Sequence, residues 1–352
     1  MNLSDEITKR TVWNMYELGS SYSEISKSTG IPKSTIGDFL SRNTYPSWWY
    51  YFDNLPVEDD AVNILLEEES IDPPLDTVVD YISVATSDFS PAFTDHLVIP
   101  DTQCKEGIDM SYLSWIGEYI IDRKPSTIIH LGDHADMPSL SSYDRGKKSF
   151  EGRRVNKDIS AAIEGMNLLL APLQAYQLEE LEKYGEIRYK PRLVLTLGNH
   201  ENRINRHVEA SPELDGFLSV DNLKYEEMGW EVHEFLVPVV VNGVTYVHFM
   251  ANPMTGKPYG GMASNVLKHV GESFTVGHKQ TLDITTRFLP ASGKQQWGII
   301  AGACYLHEED YKGPQGNHHW RGIIVKHKVN DGSYNPMFVD LGFLERRYGV
   351  KR

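Results

Sequence analysis

The sequence predicts a layered α/β protein behind a small all-α domain, on three observations. From residue 96 onward, short β-branched and Leu-rich runs alternate with helical stretches, the pattern of sheets layered with helices. Several of those runs stop at a Gly and a polar cluster. Before residue 50 the apolar spacing is helical. The 352 residues leave room for two or three domains of about 100–200 residues each. A composition of 40% hydrophobic and 24% charged residues suits a globular chain with a sizeable core. No apolar run approaches the roughly 18–20 residues of a membrane span, so no membrane partner is expected. The acidic start, Met1-Asn2-Leu3-Ser4-Asp5-Glu6, has no apolar signal region. Cys104 and Cys304 are too few for a disulfide scaffold or a Cys-based zinc site. A cytoplasmic location is the expectation.

Residues 1–50 form the first domain. Leu3, Ile7, Val12, Met15 and Leu18 recur at helical spacing. In the segment from Tyr22 to Ile36, Ser23 is placed to cap a helix, Gly30 to end it, and Pro32 to open the next. Ile25, Ile31, Ile36 and Leu40 would close a small core. This segment resembles the helix-turn-helix of resolvases and sigma-like regulators. That resemblance implies a second helix whose start enters the major groove of DNA. Lys33, Ser34 and Thr35 would then lie nearest the bases or phosphates, with Arg42 on the backbone. A three-helix bundle used for protein contact is the alternative.

The net charge of −15 is unevenly spread. Residues 1–50 carry five bases and five acids, and residues 51–95 carry twelve acids and no Lys or Arg. That leaves −3 for residues 96–352. The 51–95 segment, with prolines 56, 73, 74 and 91, is expected to be a solvated linker extended by self-repulsion. It could instead serve as an acidic arm competing with DNA for a basic surface.

The 96–352 domain carries the chemistry. Leu97-Val98-Ile99-Pro100 leads to Asp101-Thr102-Gln103, and Thr127-Ile128-Ile129-His130-Leu131 leads to Gly132-Asp133-His134-Ala135-Asp136. Leu193-Val194-Leu195-Thr196-Leu197 leads to Gly198-Asn199-His200-Glu201. Val244-Thr245-Tyr246-Val247 leads to His248, and Ser273-Phe274-Thr275-Val276 to Gly277-His278-Lys279-Gln280. A strand running into such a cluster delivers side chains to the carboxyl edge of a sheet, where α/β folds build sites. Asp, Asn and His side chains at such turns offer a mixed N/O set of the kind suited to Mn²⁺, Fe²⁺ or Zn²⁺.

This ordered set resembles the calcineurin-like metallophosphoesterase superfamily, over about residues 96–285. With the helix-turn-helix in front, the arrangement is most similar to phosphoesterases encoded by tailed bacteriophages, which would place it in the host cytoplasm. The resemblance implies a four-layer fold, two packed mixed β-sheets flanked by helices, with metals at the sheet edge. Trp297–Ala301, Gly322–Lys326 and Pro336–Val339 would be strands of the second sheet. It also implies two divalent ions. Asp133 matches the bridging carboxylate. Asn199, His248 and His278 match the other ligands of one ion, and Asp101, Gln103 and Gln280 those of the second. In the family a bridging hydroxide attacks phosphorus in line. His200 would stabilise the transition state or protonate the leaving oxygen, with Asp136 orienting it or a ligand.

The chain departs from the family at Gln103 and Gln280, where histidines are usual. Both map to the same ion, which would be held by oxygen alone, a set favouring Mn²⁺ or Mg²⁺ over Zn²⁺. An asymmetric pair follows, with one tight ion and one weaker. A decayed one-ion site is the alternative, as is replacement of the missing ligands by His134, His307, His318 or His319.

For substrate, residues 144–158 carry six bases against three acids. Arg145, Lys147, Lys148, Arg153 and Arg154 would track a phosphate backbone, with Tyr143 or Phe150 stacking on bases. A solvated surface loop is equally compatible. Gly313–Arg321 is expected at the pocket rim. A DNA phosphodiesterase is therefore the first expectation. A phosphomonoesterase on protein or nucleotide is the second, and a non-hydrolysing DNA-binding regulator the third.

Overall fold

A computed structural model describes residues 12, 15–16, 21–42, 94–144, 146–309 and 312–349. The chain divides into two units between Val84 and Ala85, within the acidic segment. Residues 51–93 and Arg145 lie outside the described residues, as does the side chain of Arg42.

In the first unit, α1 (Tyr22–Thr29) and α2 (Lys33–Arg42) flank a turn at Gly30. Val12, Ile25, Ile31, Ile36 and Leu40 form its buried core. The cap is Ser21, not Ser23. Ser21 is extended and its hydroxyl accepts from the Glu24 amide, while the Glu24 carboxylate takes the Ser21 amide in return. That reciprocal box needs a carboxylate three residues on, which Ser23 lacks. Gly30 closes α1 at φ 72°. Lys33, Ser34 and Thr35 are exposed at the start of α2.

The second unit begins with β1 (Thr94–Ile99), two residues before the expected boundary. Then come α3 (Tyr112–Arg123), β2 (Thr127–His130), the 30-residue α4 (Val155–Tyr184), β3 (Arg192–Thr196), α5 (Asn202–Ala210) and β4 (Glu231–His233). A second group follows: β5 (Val239–Val241), β6 (Val244–Val247), α6 (Ala263–Val270), β7 (Phe274–Val276), β8 (Leu282–Phe288) and β9 (Gln295–Ala301). The chain closes with β10 (Gly322–Asn330), β11 (Ser333–Asp340) and α7 (Leu341–Tyr348).

The strands form two mixed sheets, ordered β11-β10-β1-β2-β3-β4 and β5-β6-β7-β9-β8. Strand alternation sets the layers. Leu97 and Ile99 of β1 pack with α3 and α4 residues such as Leu113, Ile116, Met166 and Leu169. Between them, Val98 turns the other way, joining Ile129, Val194 and Ile324 against Tyr246, Val241 and Ile299 of the second sheet. Beyond that sheet, Val247, Phe274 and Val276 meet Val266 and Leu267 of α6. Each fully buried aliphatic side chain contributes about 1.5–3 kcal/mol. Among the described residues, no helix is long and apolar enough to cross a membrane.

Two of the three strands expected in the second sheet lie in the first. Gly322–Lys326 and Pro336–Val339 belong to the first sheet: β10 pairs antiparallel with β1 (His96 opposite Lys326), and β11 pairs with β10. Only Trp297–Ala301 lies in the second sheet. The late strands return to the front of the domain because β1 still has an open edge.

Lys326 is fully buried between the sheets. Its Nζ lies 4.4 and 4.5 Å from the Tyr246 and Tyr334 ring centroids and donates to Tyr246 Oη (3.2 Å) and Thr275 Oγ1. Burial pushes its pKa well below the usual lysine value. An unfolded chain therefore binds the proton more readily, and wild-type stability should rise with pH relative to Lys326→Met, by at most about 1.4 kcal/mol per pH unit. Urea denaturation at pH 7, 8 and 9 checks this. A stability gap between the two proteins that does not move with pH would contradict it.

Candidate metal centre

All five polar turns follow the carboxyl ends of parallel strands: β1, β2 and β3 in one sheet, β6 and β7 in the other. Parallel pairing points these ends the same way. Residues from both sheets thus meet at one edge.

His248 is fixed first. Its Nδ1 lies 2.8 Å from the Leu131 carbonyl, which only accepts, so Nδ1 is the donor and Nε2 faces inward. There Nε2 meets Asn199 Oδ1 at 2.9 Å and Asp133 Oδ2 at 3.3 Å. His278 Nδ1 approaches the same Asn199 oxygen at 2.7 Å. Ligand atoms of Asp133, His248 and His278 lie within 4.8 Å of one another. Acceptors this close require positive charge between them, from a proton or a metal ion. Burial alone would lower the His248 pKa, but the Asp133 carboxylate outweighs it and raises it to about 9. Burial and the neighbouring His248 charge push His278 down to about 4. The site favours a cation at one spot, and this Asp and His cluster can hold a metal ion.

The remaining predicted ligands flank it. Asp101 is fully buried, and both its oxygens take the His278 amide at 3.1 Å. Burial, with the nearby Asp133 charge adding and His248 opposing, raises its pKa to about 7. Gln103 donates its backbone N–H to the Asp133 carbonyl at 2.9 Å. Neither atom of its buried side-chain amide has a hydrogen-bond partner, an omission that costs about 1–3 kcal/mol and that a bound cation would relieve at the oxygen. Gln280 Oε1 accepts from Tyr305 Oη at 2.9 Å and keeps a second lone pair. The donor set fits divalent cations.

Backbone strain marks the same residues. Gln103, Asp133, His278 and Gln280 have φ of 46°, 48°, 68° and 58°, conformations that cost of order 1–3 kcal/mol each outside glycine. Glycines let the carboxylates close in: a Cβ on Gly198 would lie 2.1 Å from Asp133 Oδ1, and one on Gly277 2.3 Å from Asp101 Oδ1. Gly198→Ala should therefore displace Asp133 and weaken Mn²⁺ binding at least about tenfold. Unchanged affinity by calorimetry would refute this.

His200 stands beside the cluster, with Nδ1 2.8 Å from Asp136 Oδ1 and Nε2 3.7 Å from Asp133 Oδ2. Burial opposes its protonation, but Asp133 and Asp136 raise its pKa. Burial would raise the Asp136 pKa, yet His200, Lys105 (3.1 Å) and Arg203 hold it well below the usual range.

Four other residues were not singled out from sequence. Glu201, fully buried, accepts from the Asp133, Ala135 and Gly198 amides at 2.8–2.9 Å, binding the β2 and β3 turns together. Lys105 bridges Asp136 to Glu309, Tyr305 holds Gln280, and Arg203 contacts His200. Glu201 stands in the Gly-Asn-His-Glu motif, and Arg203 sits three residues after His200, so both left a signal. Lys105 and Tyr305 come from segments with none. Of the alternative histidines, His134 is turned to Thr102 Oγ1 and the Ala162 carbonyl, and His307 to Glu309.

In the basic loop, Lys147 and Arg153 both pair with Asp144 at 2.8 Å. Lys148 and Arg154 are exposed. No family model matches the chain, and no curated protein matches it.

Proposed function

We propose that this chain is a divalent-metal-dependent phosphoric ester hydrolase of the calcineurin-like type, with DNA as substrate. One observation carries the reading: buried oxygen and imidazole acceptors converge on a single spot beside a His–Asp pair. Asp133, Asn199, His248 and His278 would hold one ion. Asp101, Gln103, Asp133 and Gln280 would hold a second, more weakly, because amide oxygens carry no charge; Mn²⁺ suits both sets. Bound there, divalent ions supply Lewis-acid charge against the charge developing on a phosphoryl group. Asp136 orients His200 through Nδ1, and His200 presents Nε2 to the reacting group and moves a proton there. Glu201 keeps the two turns in register. Lys33, Ser34 and Thr35 supply DNA localisation, and Lys148 and Arg154 supply backbone contacts.

A phosphomonoesterase is the second reading, favoured by the Asp144 pairs that occupy Lys147 and Arg153. Incubation with Mn²⁺ and labelled DNA, beside p-nitrophenyl phosphate and its bis ester, separates the two. Cleavage of DNA and the bis ester supports the nuclease; cleavage of the monoester alone rejects it. DNA binding without hydrolysis under any divalent ion would leave a regulator.

A further inference from the structure

Arg203 holds an unusual position. Its Nη1 donates to the Asp136 carbonyl at 2.7 Å and the Met137 carbonyl at 3.3 Å. Its Nη2 lies 2.9 Å from His200 Nε2. A guanidinium has donors only, so Nη2 donates and Nε2 accepts. The imidazole proton then sits on Nδ1, facing Asp136 Oδ1 at 2.8 Å. Asp136 thus orients both side chains, one through its carboxylate and one through its carbonyl. Among the described residues, the nearest carboxylate oxygen to Arg203 is 3.8 Å away, on Asp136. A planar cation is therefore anchored at one end, while its other end lies 2.9 Å from a ring nitrogen that itself faces Asp133 Oδ2 at 3.7 Å.

We propose that Arg203 is a substrate-contacting residue that binds the tetrahedral phosphate group. When a phosphate enters, Nη2 transfers its hydrogen bond from His200 Nε2 to a phosphoryl oxygen, while Nη1 stays on the 136–137 carbonyls. No proton changes owner in this exchange. An N–H to phosphate bond is charge-assisted on both sides and stronger than the bond to imidazole it replaces. The exchange releases His200 Nε2 from Arg203 when phosphate is present. Lysine cannot reproduce this, since a single ammonium lacks the fork that reaches both partners. The inference rests on the hydrolase reading above and names a residue which that reading does not use.

The test is calorimetric binding of inorganic phosphate to the Mn²⁺-loaded full chain, with Mn²⁺ affinity measured separately. Wild type should bind phosphate. Arg203→Ala should weaken it about tenfold to a hundredfold, with Mn²⁺ affinity within about twofold, and Arg203→Lys should restore only part of the loss. Equal phosphate affinity in all three proteins would overturn the proposal, as would wild type that takes up Mn²⁺ but no phosphate. Loss of Mn²⁺ in both variants would also overturn it, making Arg203 a support of the metal centre. Hydrolysis is scored independently: Arg203-dependent phosphate binding without ester cleavage keeps this inference and rejects the hydrolase.

Discussion

Asp133→Asn should abolish Mn²⁺ uptake and turnover while leaving the fold intact. The change is nearly isosteric, and the Asn oxygen can still take the His200 amide that Asp133 Oδ1 accepts at 2.9 Å. What disappears is the charge facing His248 Nε2 at 3.3 Å, the chief influence raising the His248 pKa against burial. Loss of a residue that only orients a metal ligand already costs about 10–100-fold in metal affinity, and loss of a direct ligand should cost more than about a hundredfold. Equilibrium dialysis with Mn²⁺, beside circular dichroism and a thermal melt, checks both halves. An Asn variant that binds Mn²⁺ and cleaves ester like wild type would remove Asp133 from the centre.

His200→Ala should give the opposite split. His200 Nε2 is 3.7 Å from Asp133 Oδ2 and lies outside the Asp133, His248 and His278 group. Metal affinity should stay within about threefold. Turnover should fall by about 10²–10⁴, the usual contribution of a positioned acid or base. Steady-state kinetics on the bis ester, with metal content measured on the same sample, separates the roles. Lost metal would make His200 a ligand, and unchanged turnover would make its contact with Asp136 a purely structural one.

The strand-end turns were legible because apolar runs stop abruptly at Asp101, Asp133, Asn199, His248 and His278, and a strand must emerge from the sheet where its apolar residues end. The helical N-terminal core was legible for the same reason: Ile25, Ile31, Ile36 and Leu40 fix which face is buried. Strand partnership was not, because pairing β10 with β1 joins residues more than two hundred positions apart and local pattern carries no trace of it. The burial of Lys326 was not legible either: it closes an apolar run, yet the rings of Tyr246 and Tyr334 enclose it. The basic loop reads as a row of available cations until Asp144 is seen between Lys147 and Arg153. Lys105 and Tyr305 reach the centre through tertiary contacts alone, so spacing could not reveal them.

Asp133, Asn199, His248 and His278 are proposed to share a divalent ion. Anomalous X-ray diffraction from crystals soaked in Mn²⁺ tests it directly. The predicted result is a strong peak among those four side chains and a weaker one among Asp101, Gln103, Asp133 and Gln280. Saturating Mn²⁺ with no peak at Asp133, or with peaks only at surface carboxylates, would contradict the account.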